Sequence, residues 1–166
     1  MKRASTNYRQ SIVEKVRRPS TSLRRRDDFR QGEREFERLL ATGVIDQKRE
    51  IRRGIRAAVL VQVANVLLRI PLKDLRSGLR LSGSTIQRKI RIGARLSAGE
   101  SRRVSRALII FQQAVDAFDD KGLAADWFQR RNVELGGERP LDLLDTRPGF
   151  ERVSDVLARV VFGISV

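Results

Sequence analysis

Apolar residues recur along this chain at helical spacing, three and four positions apart, which sets them on single faces of α-helices. Residues 27–40 carry Phe29, Phe36, Leu39 and Leu40 at roughly that period, and Thr42-Gly43 marks a break. From Gln47 a longer helical stretch rises, including AAVLVQVANVLLRI. Its apolar residues surround most of the helix, which predicts a buried central helix. Pro71 ends it and starts the next element, a position where proline costs little. Residues 73–79 form a short helix with Leu72, Leu75 and Leu79 on one face. LRLSGST is then a tight connection, and Ser82 or Gly83 leads into a second helix, 84–92, with Ile86 and Ile90 turned toward the core.

The second half of the pattern is punctuated by caps. Ser97 and Glu100 make a Ser-x-x-Glu capping box, each side chain meeting a backbone N–H that a first helical turn leaves without a partner. The helix it starts should run to about Phe118, with Val104, Ala107, Leu108, Phe111, Val115 and Phe118 on its core face. Ile109 and Ile110 fall off that stripe and mark either a partner surface or a three-sided core. Asp119-Asp120-Lys121-Gly122 is a turn with a cap, followed by a short helix that turns Leu123, Trp127 and Phe128 inward. Gly136-Gly137 ends a turn that calls for positive φ. Pro140 opens a one-turn helix, LDLL, and Asp145-Thr146-Arg147-Pro148 closes it. The last helix carries Phe150, Val153, Leu157, Val160 and Val161 on one stripe, and Gly163 stops it. The predicted fold class is all-α.

Composition narrows the chemistry. The 166 residues suffice for one ordinary domain or two small ones sharing a core. With no cysteine and no histidine, thiolate metal sites and the commonest general base are missing. No Walker loop or dinucleotide glycine pattern occurs, and Asp119/Asp120 reads as a helix cap rather than a catalytic pair. An enzyme is disfavoured, and no cofactor or metal is expected. Met1 and Lys2 are followed by polar residues rather than a secretory apolar run. The apolar run 57–70 is interrupted by Gln62, Asn65 and Arg69 and is short of the roughly 18–20 residues a bilayer span needs. A cytoplasmic protein without a membrane partner is the expectation.

Charge separates the chain into unlike parts. The net +15 divides as +9 over residues 1–56, +7 over 57–121 and −1 over 122–166. A basic body attracts polyphosphate, so nucleic acid is the default partner of the first two parts. Residues 1–26 read as a flexible basic arm, either tracking DNA or keeping the chain soluble. On the helix 84–92, Ser84, Gln87, Arg88 and Arg91 lie opposite the core-facing isoleucines, with Thr85 and Lys89 on the flanks. Gln and Arg form paired hydrogen bonds to adenine and guanine edges, and Ser and Thr suit phosphates. Helix, short turn, basic helix is the outline of a helix-turn-helix that holds double-stranded DNA. A merely solvated charged face is the plain alternative.

The order of motifs resembles the Xre/MbcA/ParS-type antitoxins of bacterial toxin–antitoxin pairs. The likeness runs through LSGSTIQRKIRIGARLSAGESRRV and ADWFQRRNVELGGERPLDLLDTRPGFERVSDVLARVVFG, covering roughly residues 50–166. Its ordered positions are Trp127, Asn132, Leu135-Gly136-Gly137, Pro140-Leu141, Leu144, Thr146, Gly149, Val153, Leu157 and Gly163. The resemblance implies an Xre-like helix-turn-helix bundle over residues 47–121, followed by a small helical toxin-binding domain over 122–166. A basic N-terminal extension, 1–46 and partly flexible, stands outside the family pattern. It also implies a RES-domain toxin that depletes NAD⁺, neutralised by obstruction of its active site, and an operator bound to autoregulate the operon. A homodimer and larger toxin–antitoxin hetero-oligomers are implied as well. Trp127, Asn132, Leu135, Gly136, Gly137, Pro140, Leu144, Gly149, Phe162, Gly163, Ile164 and Val166 would then meet the toxin. The alternative is a stand-alone transcriptional regulator whose residues 122–166 dimerise or sense a ligand.

Overall fold

The computed structural model describes residues 21–41 and 51–161. Helix α1 (Thr21–Ala41) starts well ahead of the expected Asp27, so residues 21–26 are helical rather than part of an irregular arm. Its inward face is set by Gly32, Glu35, Phe36 and Leu39, at the i, i+3, i+4, i+7 spacing of a packed helix. Phe29 and Leu40, expected on that face, stay largely exposed.

The long central helix predicted from Gln47 is not continuous. Residues 47–50 lie outside the described residues; 51–53 are helical, and the chain then breaks at Gly54. Gly54 takes a left-handed conformation, φ +79°, and a Cβ there would sit 2.5 Å from Leu96 O, which only glycine permits. The freed backbone finds partners in the segment after residues 83–91: Leu96 N–H donates to Ile55 O at 2.7 Å and Ala57 N–H to Ala94 O at 3.0 Å. These bonds flank an isolated antiparallel bridge between Arg56 and Arg95. Helicity resumes as α2 (Val59–Gln62), which passes into a π-helical segment, Val63–Leu68. Arg69, left-handed at φ 52°, stops it before Pro71. Apolar residues all round foretold burial for most of the segment, although Val66 is 57% exposed, and burial does not distinguish one helix from several pieces.

The remaining elements follow their caps. They are α3 (Leu72–Gly78), α4 (Gly83–Arg91), α5 (Ala98–Phe118), α6 (Lys121–Gln129), a 3₁₀ turn (Val133–Leu135), α7 (Pro140–Leu143) and α8 (Arg147–Val161). Ser97 and Glu100 form the predicted capping box, with Glu100 N–H donating to Ser97 Oγ at 3.3 Å and Ser97 N–H to Glu100 Oε2 at 2.6 Å. Asp120 caps α6 by accepting from Leu123 N–H at 2.7 Å.

Helix α5 is the spine, packed against both α6 and α8. Ile110, a candidate for a partner surface, is 0% exposed: the core is three-sided and absorbs it, while Ile109 is half-buried. Phe128 is buried, but Leu123, expected inward, is exposed. The buried face of α6 is the one that carries Ala124, Ala125 and Phe128, and Leu123 lies off it. On α8 the core takes Val153, Val156 and Leu157; Val160 and Val161, expected on the stripe, are exposed because the buried face ends a turn earlier. One continuous hydrophobic cluster runs from Phe36 through Leu75, Ile86 and Phe111 to Leu141 and Leu157. Gly78 at the end of α3 lies so close to α7 that an added Cβ would meet Leu141 Cγ at 2.6 Å. Among the described residues, no helix is long and apolar enough to cross a membrane.

Candidate functional site

The turn into α4 is built from arginine and backbone. Arg80 adopts a left-handed conformation, φ 50°, leaving carbonyls that need donors. Arg103 Nη1 donates to Arg80 O at 2.7 Å, and Arg76 Nη1 donates to Gly83 O at 2.7 Å. Ser82 precedes the helix in an extended conformation. Ile86 is buried and Ile90 half-buried, so the opposite side faces solvent: Ser84, Gln87, Arg88 and Arg91 are exposed or nearly so, with Thr85 and Lys89 on the flanks. This is the face the sequence specified, and its donors can reach base edges and phosphates.

Lys89 has a second engagement. Its ammonium pairs with the Glu100 carboxylate, the same group that closes the capping box of α5. Burial acts to raise the Glu100 pKa, but hydrogen bonds from the Lys89 ammonium and from the Ser97 N–H and hydroxyl outweigh it, and the net shift is downward. Lys89 therefore fixes α4 against the start of α5, and Ser84, Gln87, Arg88 and Arg91 are the residues left open on that helix.

The other surface is organised by Asn132. Its side-chain oxygen accepts from Glu134 N–H at 2.9 Å, and its carbonyl accepts from Leu135 N–H at 3.1 Å and Gly137 N–H at 2.9 Å. Its own N–H donates to Glu138 O at 3.0 Å, closing the loop. Gly136 and Gly137 complete it with φ of 71° and 79°, as the glycine pair required. Beneath the loop Leu135 is fully buried; above it Val133 is 93% exposed. Arginines again hold the backbone: Arg131 donates to Gly137 O at 3.2 Å, Arg152 to Glu134 O at 3.0 Å, and Arg106 to Asp145 O at 2.9 Å. Arg159 pairs with the Glu134 carboxylate at 3.0 Å, tying the turn to the last residues of α8.

The turn between α7 and α8 is equally tight. Arg139 grips Asp142 through two hydrogen bonds of 2.7 Å. Thr146 Oγ1 accepts from Gly149 N–H at 3.1 Å, and a Cβ on Gly149 would fall 2.0 Å from Leu143 O.

The expected partner-facing residues thus divide. Leu135, Pro140 and Leu144 are buried in this chain's own core. Asn132, Gly136, Gly137 and Gly149 shape backbone, and Trp127 is half-buried, its ring 5.9 Å from Phe118 and 6.1 Å from Phe128. Phe162, Gly163, Ile164 and Val166 lie outside the described residues. The apolar groups that face outward in this part of the chain include Leu123 on α6, Val133 on the turn and Val160 and Val161 at the end of α8. Val133 went unread because it lies off every helical stripe. Its signal was an apolar residue between a capping Asn132 and an inward Leu135. Among the described residues, no group of three or more His, Cys, Asp or Glu could hold a metal ion.

Such a helical body, with an exposed basic α4 and a glycine-shaped C-terminal turn, is the type the sequence motifs resemble. Residues 113–163 match the family "Antitoxin Xre/MbcA/ParS C-terminal toxin-binding domain". The chain is similar to an Antitoxin Xre of Photorhabdus laumondii, 34% identical over 90 residues, or 52% of this chain and 61% of that protein. An Antitoxin Xre of Yersinia enterocolitica is 29% identical over 96 residues, 57% of this chain and 65% of the relative. The chain thus spans less than two thirds of the length of either Xre antitoxin. A Prs ADP-ribosylating antitoxin of a Sphingobium species is 27% identical over 137 residues, covering 77% of this chain and 86% of that protein. Together these matches make the chain similar to antitoxins of the Xre/MbcA/ParS type.

Proposed function

We propose that this chain is the non-enzymatic antitoxin of a type II pair, binding a RES-domain toxin and obstructing its active site, and holding operator DNA to autoregulate its operon. In this reading α4 offers Ser84, Gln87, Arg88 and Arg91 to DNA, with Thr85 at the flank. The turn Asn132–Gly137 and the end of α8 face the toxin in the cytoplasm. The chain acts as a homodimer on DNA and within larger toxin–antitoxin assemblies. The observation that carries the toxin half is Val133, an almost fully exposed apolar side chain on a hydrogen-bonded turn inside the segment matching the toxin-binding family. A lone exposed valine costs the free chain little, whereas in an interface it would bury apolar area.

The test is co-expression with the adjacent reading frame, scoring growth rescue and co-purification. Val133→Asp should weaken toxin capture roughly tenfold or more and leave operator binding intact. Arg88→Ala with Arg91→Ala should do the reverse. A neighbour that stays lethal and uncomplexed would sink the toxin half of the proposal.

A further inference from the structure

Helix α1 lies outside both the motifs that resemble the antitoxin family and the matched segment 113–163, yet it is bound tightly to the DNA-facing part of the molecule. Its anchor is Glu35, only 2% exposed. The carboxylate pairs with Arg56 Nε at 3.4 Å and Arg95 Nη1 at 3.3 Å, and it accepts from Arg56 N–H at 3.3 Å. A buried carboxylate is tolerated only with such partners, and Arg56 and Arg95 are the two residues of the bridge that follows α4. Arg95 also donates to Gly54 O, so one guanidinium joins α1, the Gly54 break and the exit from α4. Gly32 brings α1 within touching distance of the start of α2, since a Cβ there would meet Ala58 Cβ at 2.7 Å. The register of α1 is therefore fixed.

That register brings the N-terminal half of α1 beside the end of α4. Asp28 lies against Gly93, just past Arg91: a Cβ on Gly93 would collide with the Asp28 carboxylate. Around this point the sequence reads RRRDDFR over residues 24–30, net basic even with Asp27 and Asp28, and Arg30 falls one turn after Arg26. Arg26 and Arg30 are exposed and share a face. Arg26 and Arg30 thus stand exposed on a rigidly mounted helix that touches the end of α4 at Gly93, two residues past the exposed Arg91, and cations so placed suit an anionic partner.

We propose that the N-terminal half of α1 is a second DNA-contacting element, in which Arg26 and Arg30 grip backbone phosphates flanking the base pairs faced by α4. This rests on the DNA reading of α4 given above. It adds a sequence-independent grip to it, because guanidiniums on phosphates position a protein without reading bases. The two elements therefore have separable signatures. Phosphate contacts set the slope of affinity against salt, and base contacts set the ratio between specific and unrelated DNA.

The experiment uses the full chain, a duplex of the region upstream of its own reading frame, and a scrambled duplex of equal length, with affinities measured by anisotropy over a series of KCl concentrations. Arg26→Ala with Arg30→Ala should weaken both duplexes by the same factor and leave their ratio unchanged. The slope of log affinity against log salt should shrink by about one for each phosphate that is no longer neutralised. An unchanged thermal midpoint confirms that the exposed substitutions leave the fold intact. If the double variant keeps wild-type affinity and slope on both duplexes, α1 is solvated charge and the proposal is overturned. If it changes the ratio at constant slope, the two arginines read bases, which overturns it too. Arg88→Ala with Arg91→Ala serves as the separate check. Should that variant retain full discrimination, the reading of α4 fails, an outcome distinguishable from failure of the α1 grip because slope and ratio are measured independently.

Discussion

Gly149 sits in the first turn of α8, where alanine would ordinarily be the better helix former by about 1 kcal/mol. The close approach of Leu143 O, 2.0 Å from where a Cβ would be, reverses that sign. Gly149→Ala should cost about 1–3 kcal/mol, read from the urea midpoint, because the obstacle is backbone and cannot swing aside. An unchanged midpoint would mean that the α7–α8 turn yields. Glu100 makes a different prediction, through pH. Its folded pKa lies below the ordinary 4.5, so its stabilisation is present in full above that value and is lost as pH falls through the folded pKa. Glu100→Gln should therefore lower the thermal midpoint at neutral pH, by about 1 kcal/mol in stability, and flatten its decline below about pH 4.5. A variant whose acid limb matches the wild type would remove Glu100 from that transition.

At the level of elements, Gly54 explains where the hydrophobic pattern misled. A segment apolar on all sides announces burial, and Val59, Leu60, Val63, Ala64, Leu67 and Leu68 are indeed buried. The pattern contains nothing about continuity; that information sat in one glycine and in the carbonyl of Leu96, far along the chain. Gly54→Ala should cost more than about 2 kcal/mol, since the residue must hold φ +79° against Leu96 O. Chemical denaturation would measure this, and a cost near zero would show that the break can re-form as helix. By contrast α3, α4 and α5 were legible almost to the residue, because Pro71 and the Ser97–Glu100 box are local signals with local mechanisms; Ser82 precedes α4 in an extended conformation without a side-chain cap bond. Part of the C-terminal surface was legible for the same reason: the positive φ of Gly136-Gly137 follows from the sequence, whereas the cap on Asn132 emerges only in the structure. Which of Leu123, Val133 and Leu135 would face outward did not, because short helices and 3₁₀ turns lack a period long enough to fix a face.

Across the whole molecule, the charge division between residues 57–121 and 122–166 suggested two neighbouring units, but their interiors are one. Leu75 of α3 and Leu79 just after it share a core cluster with Leu141, Leu144 and Leu157, and Gly78 admits α7 at close range. Thermal unfolding should therefore be a single transition whose calorimetric and van't Hoff enthalpies agree. Two resolved transitions would restore a boundary near residue 121. The guanidiniums act at this scale as well. Arg76, Arg95, Arg103, Arg106, Arg131 and Arg152 each donate to a backbone carbonyl where the chain turns. Lysine carries the same charge but lacks the planar fork that spans such geometry. A recoded chain with lysine at those six positions would keep its isoelectric character and its pull on phosphate, and lose the mortar between its helices. Arginine content here is as much an architectural specification as an electrostatic one, and a homologue scored only by net charge would conceal the difference.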